Sequence, residues 1–175
     1  MKFQNLDDVL VDELKDMYSL EQQLIKALDK MAKAADGDLR LAFVDHLEQT
    51  RIHADRIQQL CDQLKIKPDG KKCTGIEGIV KEGNEVIKAG ANPDSLNAAL
   101  IGTAQRAEHY EIAAYGTART HARQLGYTSM VKVLNETLEE EKQTDRRLTT
   151  LAENNINVRA ALEKGNLGAE GSLQM

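Results

Sequence analysis

Apolar residues recur along this chain at the three- and four-residue spacing that places side chains on one face of an α-helix. The spacing predicts four long helices, over residues 6–35, 38–64, 93–125 and 128–153. A shorter amphipathic helix is expected at 74–89, and a last turn or short helix at 158–163. Gly37 and the stretch around Pro68 separate the predicted helices as breakers.

The ends of the predicted helices carry their own signals. Asn5, Asn92 and Thr128 are expected to cap helix starts with their side chains. The pair Asn154-Asn155 is expected to end the fourth long helix.

The lengths of the connections predict how the long helices are arranged. A turn of two or three residues at 36–38 makes the first two antiparallel neighbours. A connection of roughly 28 residues then carries the chain back to the starting end, so that the third long helix runs parallel to the second. The predicted fold is all-α, a four-helix bundle with one long crossover that contains a short helix. Residues 1–164 form this domain, and 165–175 are expected to be a mobile tail.

Polar residues interrupt each apolar seam near its middle, where a bundle core normally holds leucine. They are Glu21 in the first helix, His46, Thr50 and His53 in the second, Glu108 and Glu111 in the third, and Glu141 and Asp145 in the fourth. One such interruption is often a surface residue assigned to the wrong face, but interruptions at mid-length in four helices are hard to explain in this way. Buried charges are costly without partners, and like charges about 4 Å apart repel by roughly 4 kcal/mol at an effective dielectric of 20.

Several carboxylates together with imidazoles predict that the missing partner is a metal cation. We expect two transition-metal ions, since carboxylates bridge two ions and this donor set suits iron or manganese. The predicted ligands are Glu21, His53, Glu108, Glu111, Glu141 and Asp145.

Neighbouring polar residues receive other interpretations. His46 is interpreted as a hydrogen-bonded core histidine in preference to a ligand, and Tyr18 and Tyr115 as hydrogen-bond donors near the site or ordinary packing residues. His109 is expected to point away from the seam, and Glu139 and Glu140 are expected to lie on the solvated surface.

Composition narrows the class of protein. Aromatic residues make up 3% of the 175 residues and Trp is absent, which favours packed helices with an aliphatic core. The net charge of −5 argues against nucleic-acid binding. No apolar run is long enough to span a membrane and no signal peptide is recognisable, so the expected location is the cytoplasm. Cys61 and Cys73 are expected to be reduced structural thiols.

Four stretches of the chain resemble the YciE/YciF-type branch of the ferritin-like proteins: residues 12–24, 46–53, 108–117 and 138–145. The similarity extends over about residues 6–156. The resemblance implies a ferritin-like bundle, a dinuclear centre that holds iron, a homodimer and a link to bacterial stress responses.

The chain departs from the ferritin and rubrerythrin pattern, in which the second and fourth helices each carry Glu-x-x-His. Thr50 stands in the glutamate position before His53, and Thr144 stands in the histidine position after Glu141. The departures imply that one metal is held more weakly or that a coordination position is vacant.

Two classes of function remain open, and the sequence does not decide whether the protein is an enzyme. The leading hypothesis is a non-haem di-iron protein that reacts with dioxygen or peroxide, as a ferroxidase or a peroxide-handling protein. Manganese in the same site would favour a catalase-like reaction. The alternative is a structural or binding protein that the metal stabilises, without catalytic turnover.

Overall fold

The computed structural model of the protein describes residues 3–162. This part of the chain holds six α-helices and one π-helical segment, and no strand: α1 (Leu6–Ala34), α2 (Gly37–Gln63), α3 (Thr74–Lys88), α4 (Pro93–Gln124), α5 (Thr128–Leu151), the π-helical segment (Ala152–Ile156) and α6 (Asn157–Leu162). The predicted helices are confirmed to within a few residues at each end. The predicted tail at 165–175 and the end of the predicted domain lie outside the described residues.

The helix starts follow the predicted caps at two of three positions. The Asn5 side chain accepts a hydrogen bond from the backbone N–H of Asp8 (2.9 Å), and the Asn92 side chain accepts one from the N–H of Ser95 (2.9 Å). The expectation for Thr128 is wrong. Thr128 is the first residue of α5, and its hydroxyl lies 3.5 Å from the carbonyl oxygen of Gly126, in the turn before the helix.

The predicted stop at Asn154-Asn155 is also wrong, because the chain stays helical through this pair. The backbone N–H of Asn157 bonds to the carbonyl of Ala152, which gives the five-residue spacing of a π-helix. Ala152 and Ile156 are both buried against the bundle. Burial of these two side chains therefore outweighs the weak helix preference of the asparagines.

The four long helices enclose two apolar clusters at opposite ends of the bundle. One cluster joins the end of α1, the beginnings of α2 and α4 and the end of α5, for example through Leu28, Leu39, Leu100 and Leu148. The other joins the opposite ends of the same helices, for example through Leu14, Leu60, Ala118 and Leu134. This pairing of ends makes α2 and α4 parallel to each other and antiparallel to α1 and α5. The single-crossover four-helix bundle is thereby confirmed.

The crossover brings α3 onto the outside of the bundle, where it packs against α1 and α4. Cys73 and Ile76 are fully buried there, in contact with Leu20 and Leu24 of α1 and Ala107 of α4. Gly37, the first residue of α2, has a φ of +51°, a conformation that glycine adopts at little cost. Among the described residues, no helix is both long and apolar enough to cross a membrane.

Candidate metal centre

A layer of charged and imidazole side chains lies between the two apolar clusters. Glu21, His53, Glu111 and Glu141 are 0% exposed to solvent, and Glu108 is 1% exposed. They come from the middles of α1, α2, α4 and α5, as the interruptions in the four seams predict. The structure therefore brings five of the six predicted ligand residues together in the interior.

The side chains of this layer form two groups whose potential ligand atoms lie within 4.8 Å of one another. The first group, called group one below, is Glu21, His53 and Glu141. The second, called group two, is His46, Glu108, Glu111 and Glu141. Ligands bound at about 2.1 Å to one ion lie at most about 4.2 Å apart, so small movements would suffice to close each group on a cation.

Group one has close polar contacts, both between its members and with neighbouring side chains. His53 Nδ1 lies 2.7 Å from Glu141 Oε1, and His53 Nε2 lies 2.8 Å from Glu140 Oε2. The hydroxyl of Tyr115 donates a hydrogen bond to Glu21 Oε1, and Tyr115 is itself 1% exposed. Of the two interpretations of Tyr115, hydrogen bonding near the site is the one that the structure supports.

Glu140 and Arg56 extend this network towards the surface. Arg56 donates hydrogen bonds to Glu140, to Glu136 Oε1 (2.7 Å) and to Thr137 Oγ1 (3.0 Å). The expectation that Glu140 faces solvent is wrong, since its side chain is only 25% exposed and contacts His53. The heptad pattern missed both residues because it marks faces of a helix, and these side chains reach across the groove between α2 and α5.

Group two has fewer partners. His46 Nε2 lies 2.9 Å from Glu108 Oε1, and both side chains are at least 96% buried. Within the described residues, His46 Nδ1, Glu108 Oε2 and both carboxylate oxygens of Glu111 have no hydrogen-bond partner. His46 is paired with Glu108 in the core, and it also offers a free ring nitrogen to group two, so the preference for a core histidine over a ligand stays a prediction.

Burial and mutual repulsion shift the titration of the carboxyl groups. Burial raises the pKa of Glu21 to about 8, although the charge of His53 opposes this, and burial raises the pKa of Glu108 to about 7 against the charge of His46. The pKa of Glu111 is raised well above its usual range by burial and by the charges of Glu141 and Glu21. In the absence of a cation, protons therefore occupy these carboxyl groups near neutral pH.

Two further pKa shifts in the layer, those of His46 and Glu141, are set by close partners. Burial would lower the pKa of His46, but the adjacent Glu108 carboxylate raises it to about 9. Burial would raise the pKa of Glu141, but a hydrogen bond with His53 and the charge of His46 bring it below its usual value. Glu141, the residue that both groups share, is thus the carboxylate that stays ionised.

Asp145 is the predicted ligand that the structure does not bring into either group. Its Oδ1 accepts a hydrogen bond from Gln105 (3.1 Å) and lies 3.5 Å from His109 Nε2. His109 is 70% exposed, as predicted. Tyr18 is half-buried and packs against the apolar cluster that contains Leu14.

The two threonines that replace ligands of the ferritin pattern bond within the helical framework. The Thr50 hydroxyl donates to the carbonyl of His46 (2.8 Å), and the Thr144 hydroxyl donates to the carbonyl of Glu140 (3.3 Å). Neither residue belongs to the two groups. His46, two turns from His53 on α2, is a member of group two.

The fold and this layer define a class: single-crossover helical bundles with a buried cluster of carboxylates and imidazoles. Within that class, the chain belongs to the family described as a domain of unknown function, DUF892, whose model matches residues 5–161. It is 48% identical over 164 residues to Protein YciF of Escherichia coli (strain K12), covering 91% of this chain and 98% of that protein.

Two solved structures of relatives support the same assignment. The crystal structure of the E. coli stress protein YciF matches with a TM-score of 0.85 and 46% identity, over 89% of this chain and 99% of that one. YcfI from Rhodopseudomonas palustris, whose description proposes a structural role, matches with a TM-score of 0.81 and 40% identity, over 84% of this chain and 94% of that one. The resemblance to YciF-type proteins is therefore confirmed.

Proposed function

We propose that this protein binds two transition-metal ions, preferentially iron, one in group one and one in group two. We further propose that the loaded site reacts with dioxygen or peroxide. The observation that carries the proposal is a set of fully buried carboxylate oxygens without a hydrogen-bond donor in the described part of the chain. These atoms are Glu21 Oε2, Glu108 Oε2 and both carboxylate oxygens of Glu111 and of Glu141.

A bundle core rarely keeps such groups without a cationic partner, because each unpartnered buried polar group costs about 1–3 kcal/mol and a charged group more. The nearby guanidinium of Arg56 contacts Glu140 and Glu136, which lie outside groups one and two. A divalent cation among the carboxylates would replace the missing donors and reverse the mutual repulsion.

The donor set fits iron. Four carboxylates and two imidazoles are hard and borderline ligands of the kind that non-haem iron and manganese take, and no thiol lies among them. Glu141 belongs to both groups, so its carboxylate would contribute to holding both ions. Bound iron would supply the redox chemistry, while the protein contributes orientation and exclusion of water.

The relatives extend the proposal to physiology. The E. coli relative is described as a stress protein, and an iron site that consumes an oxidant would serve a bacterial stress response. We place the protein in the cytoplasm as a homodimer on the same resemblance. The second candidate, a bundle that the metal stabilises without turnover, is favoured by the structural role proposed for the R. palustris relative.

Metal analysis combined with aerobic iron titration tests the proposal. Protein purified without chelator is expected to contain about two iron or manganese ions per chain. Fe(II) added to the metal-free protein in air is expected to oxidise faster than in buffer, with consumption of oxygen. Stable binding without faster oxidation would favour the structural alternative.

Glu141→Ala is the informative variant for this experiment, because Glu141 belongs to both groups. It is expected to lose nearly all bound metal and all acceleration. Glu139→Ala is the matched control, because Glu139 lies two residues away on the same helix and pairs on the surface with Lys142 (2.8 Å). Full metal content in Glu141→Ala would overturn the proposed site.

A further inference from the structure

An apolar cavity lies beneath the crossover helix, between α3 and the pair α1 and α4. Its wall on the side of α3 includes Ile79, Val80 and Gly83, and its wall on the side of α1 includes Leu24 and Leu28. Several of the lining residues of α3 are only partly buried, so the cavity lies between the surface of α3 and the interior of the bundle.

The inner end of the cavity reaches the candidate metal centre. His46 and Glu108, both members of group two, line it. His46 Nδ1 and Glu108 Oε2 are buried atoms without a hydrogen-bond partner among the described residues, and the two side chains are 4% and 1% exposed. The cavity therefore connects to the group that has the most free ligand atoms.

The size of the cavity limits what can enter. The cavity has a volume of about 20 Å³. A single water needs about 10–15 Å³ by the same measure, so the space holds roughly one small molecule. An acyl chain or an aromatic compound would require the helices to separate.

The polarity of the cavity lining determines which small molecules enter at low cost. Apart from His46 and Glu108, the polar residues of its wall are Asn84 and Thr103, and each of these donates a hydrogen bond to a carbonyl of its own helix. The other lining residues are apolar, and small apolar cavities favour apolar gases over water. Hydrogen peroxide would lose its hydrogen bonds to water on entry, at a cost of about 1–3 kcal/mol for each group left unpaired. Dioxygen has no such bonds to lose.

We propose that this cavity is the route by which dioxygen reaches the centre, so that dioxygen is the oxidant to which the site is adapted. The inference rests on the proposed function, since it assigns the substrate of that same site. Gly83 is the position at which a side chain can block the cavity. A Cβ atom added there would lie 3.0 Å from Thr103 Cγ2 on the facing helix α4.

Two glycines of α3 give a matched pair of variants. Gly83→Leu would fill the cavity, whereas Gly78→Leu places the same side chain where a Cβ meets no atom within 4 Å. Both exchanges replace a helical glycine by a better helix former. Gly83→Ala supplies a smaller obstruction in case the leucine variant does not fold.

Xenon binding tests the cavity without any metal. In crystals of the metal-free protein under xenon pressure, we expect xenon between α3 and α4 in the wild type and in Gly78→Leu. We expect none in Gly83→Leu and reduced occupancy in Gly83→Ala. Absence of xenon from the wild type would overturn the route, whatever the iron chemistry proves to be.

The rate of iron oxidation then tests the function of the cavity. In protein loaded with Fe(II) without air, mixing with dioxygen is expected to give oxidation about tenfold slower in Gly83→Leu than in the wild type or in Gly78→Leu. The rate with hydrogen peroxide is expected to change less than twofold. Equal dioxygen rates in all variants, or an equal slowing with peroxide, would overturn the inference while the proposed function stands.

A different result would identify failure of the proposed function itself. If the wild type binds xenon but its bound Fe(II) does not react with either oxidant, the site is not oxidative and the route has no substrate. The two failures are therefore distinguishable in one set of proteins.

Discussion

Groups one and two share Glu141 but differ in how their other members are held. In group one, His53 contacts carboxylates through both ring nitrogens, and Tyr115 donates to Glu21. In group two, His46 pairs with Glu108, whereas Glu111 receives no hydrogen bond from the described residues. Group one is positioned by a network, and group two is positioned mainly by packing.

This difference suggests a division of roles within the proposed centre. Hydrogen bonds to ligand side chains fix their orientation and strengthen metal binding, so group one is expected to hold its ion more tightly. Group two borders the cavity beneath α3 and has the most free ligand atoms, so its ion is expected to be the one that an incoming oxidant meets.

Loss of one ligand from group two should produce the largest difference in metal content between the two groups. Glu108→Ala removes a member of group two and leaves the three members of group one unchanged. We expect about one ion per chain to remain, in contrast to the nearly complete loss expected for Glu141→Ala. Metal analysis after gel filtration measures this directly, and a loss of both ions from Glu108→Ala would show that the two groups do not bind independently.

The stability of the metal-free protein should depend on pH because of the buried carboxyl groups. The pKa of Glu21 is raised to about 8 and that of Glu108 to about 7, each from an ordinary value of 4.5. The folded chain therefore holds protons that the unfolded chain releases above pH 4.5. The free energy of unfolding falls as pH rises from about 5 to 8.

His46 also makes the free energy of unfolding fall as pH rises. Its pKa is raised from 6.5 to about 9, so the stabilisation by its protonated ring is lost as pH rises through that value. We expect Tm of the metal-free protein to drop by about 5 °C or more between pH 5.5 and pH 8. With metal bound the trend should reverse, because binding displaces these protons and is favoured at higher pH. A metal-free Tm that rises over this interval would contradict the pKa shifts in both groups.

The sequence predicted the helices and most of the buried layer because both follow from helical periodicity. A seam residue in the middle of a bundle helix faces the core. The buried glutamates that interrupt the apolar seams are Glu21, Glu108, Glu111 and Glu141. Asp145 lies one turn beyond Glu141, close enough to the core face to be predicted with it. Its side chain accepts a hydrogen bond from Gln105 instead. Helical periodicity does not specify which neighbouring side chain a residue contacts.

Arg56 and Glu140 show the other limit of sequence reasoning. Each is a charged residue on a partly exposed face of its own helix, which is the ordinary place for such residues. Their importance comes from pairing across the groove between α2 and α5, 84 positions apart in the chain. Only the packing of the helices brings the two side chains together.

The smallest predicted effect tests whether this pair supports group one. Arg56→Ala removes the donor that holds Glu140 against His53 Nε2, so the orientation of the His53 ring is less fixed. Loss of such a supporting partner typically lowers metal affinity by about 10-fold to 100-fold, and we expect the lower figure because His53 keeps its contact with Glu141. Competition with a chelator measures the affinity of the tighter ion.

Arg147→Ala is the matched control for this experiment. Arg147 also joins α5 to α2, through a 2.9 Å ion pair with Asp45, but its side chain is 49% exposed and contacts no member of group one. An exposed pair of this kind contributes about 0–1 kcal/mol to stability, so the control should lose a little stability and no affinity. If the two arginine variants lower metal affinity equally, the network around His53 does not position it, and the contrast between the groups lies in their ligands alone.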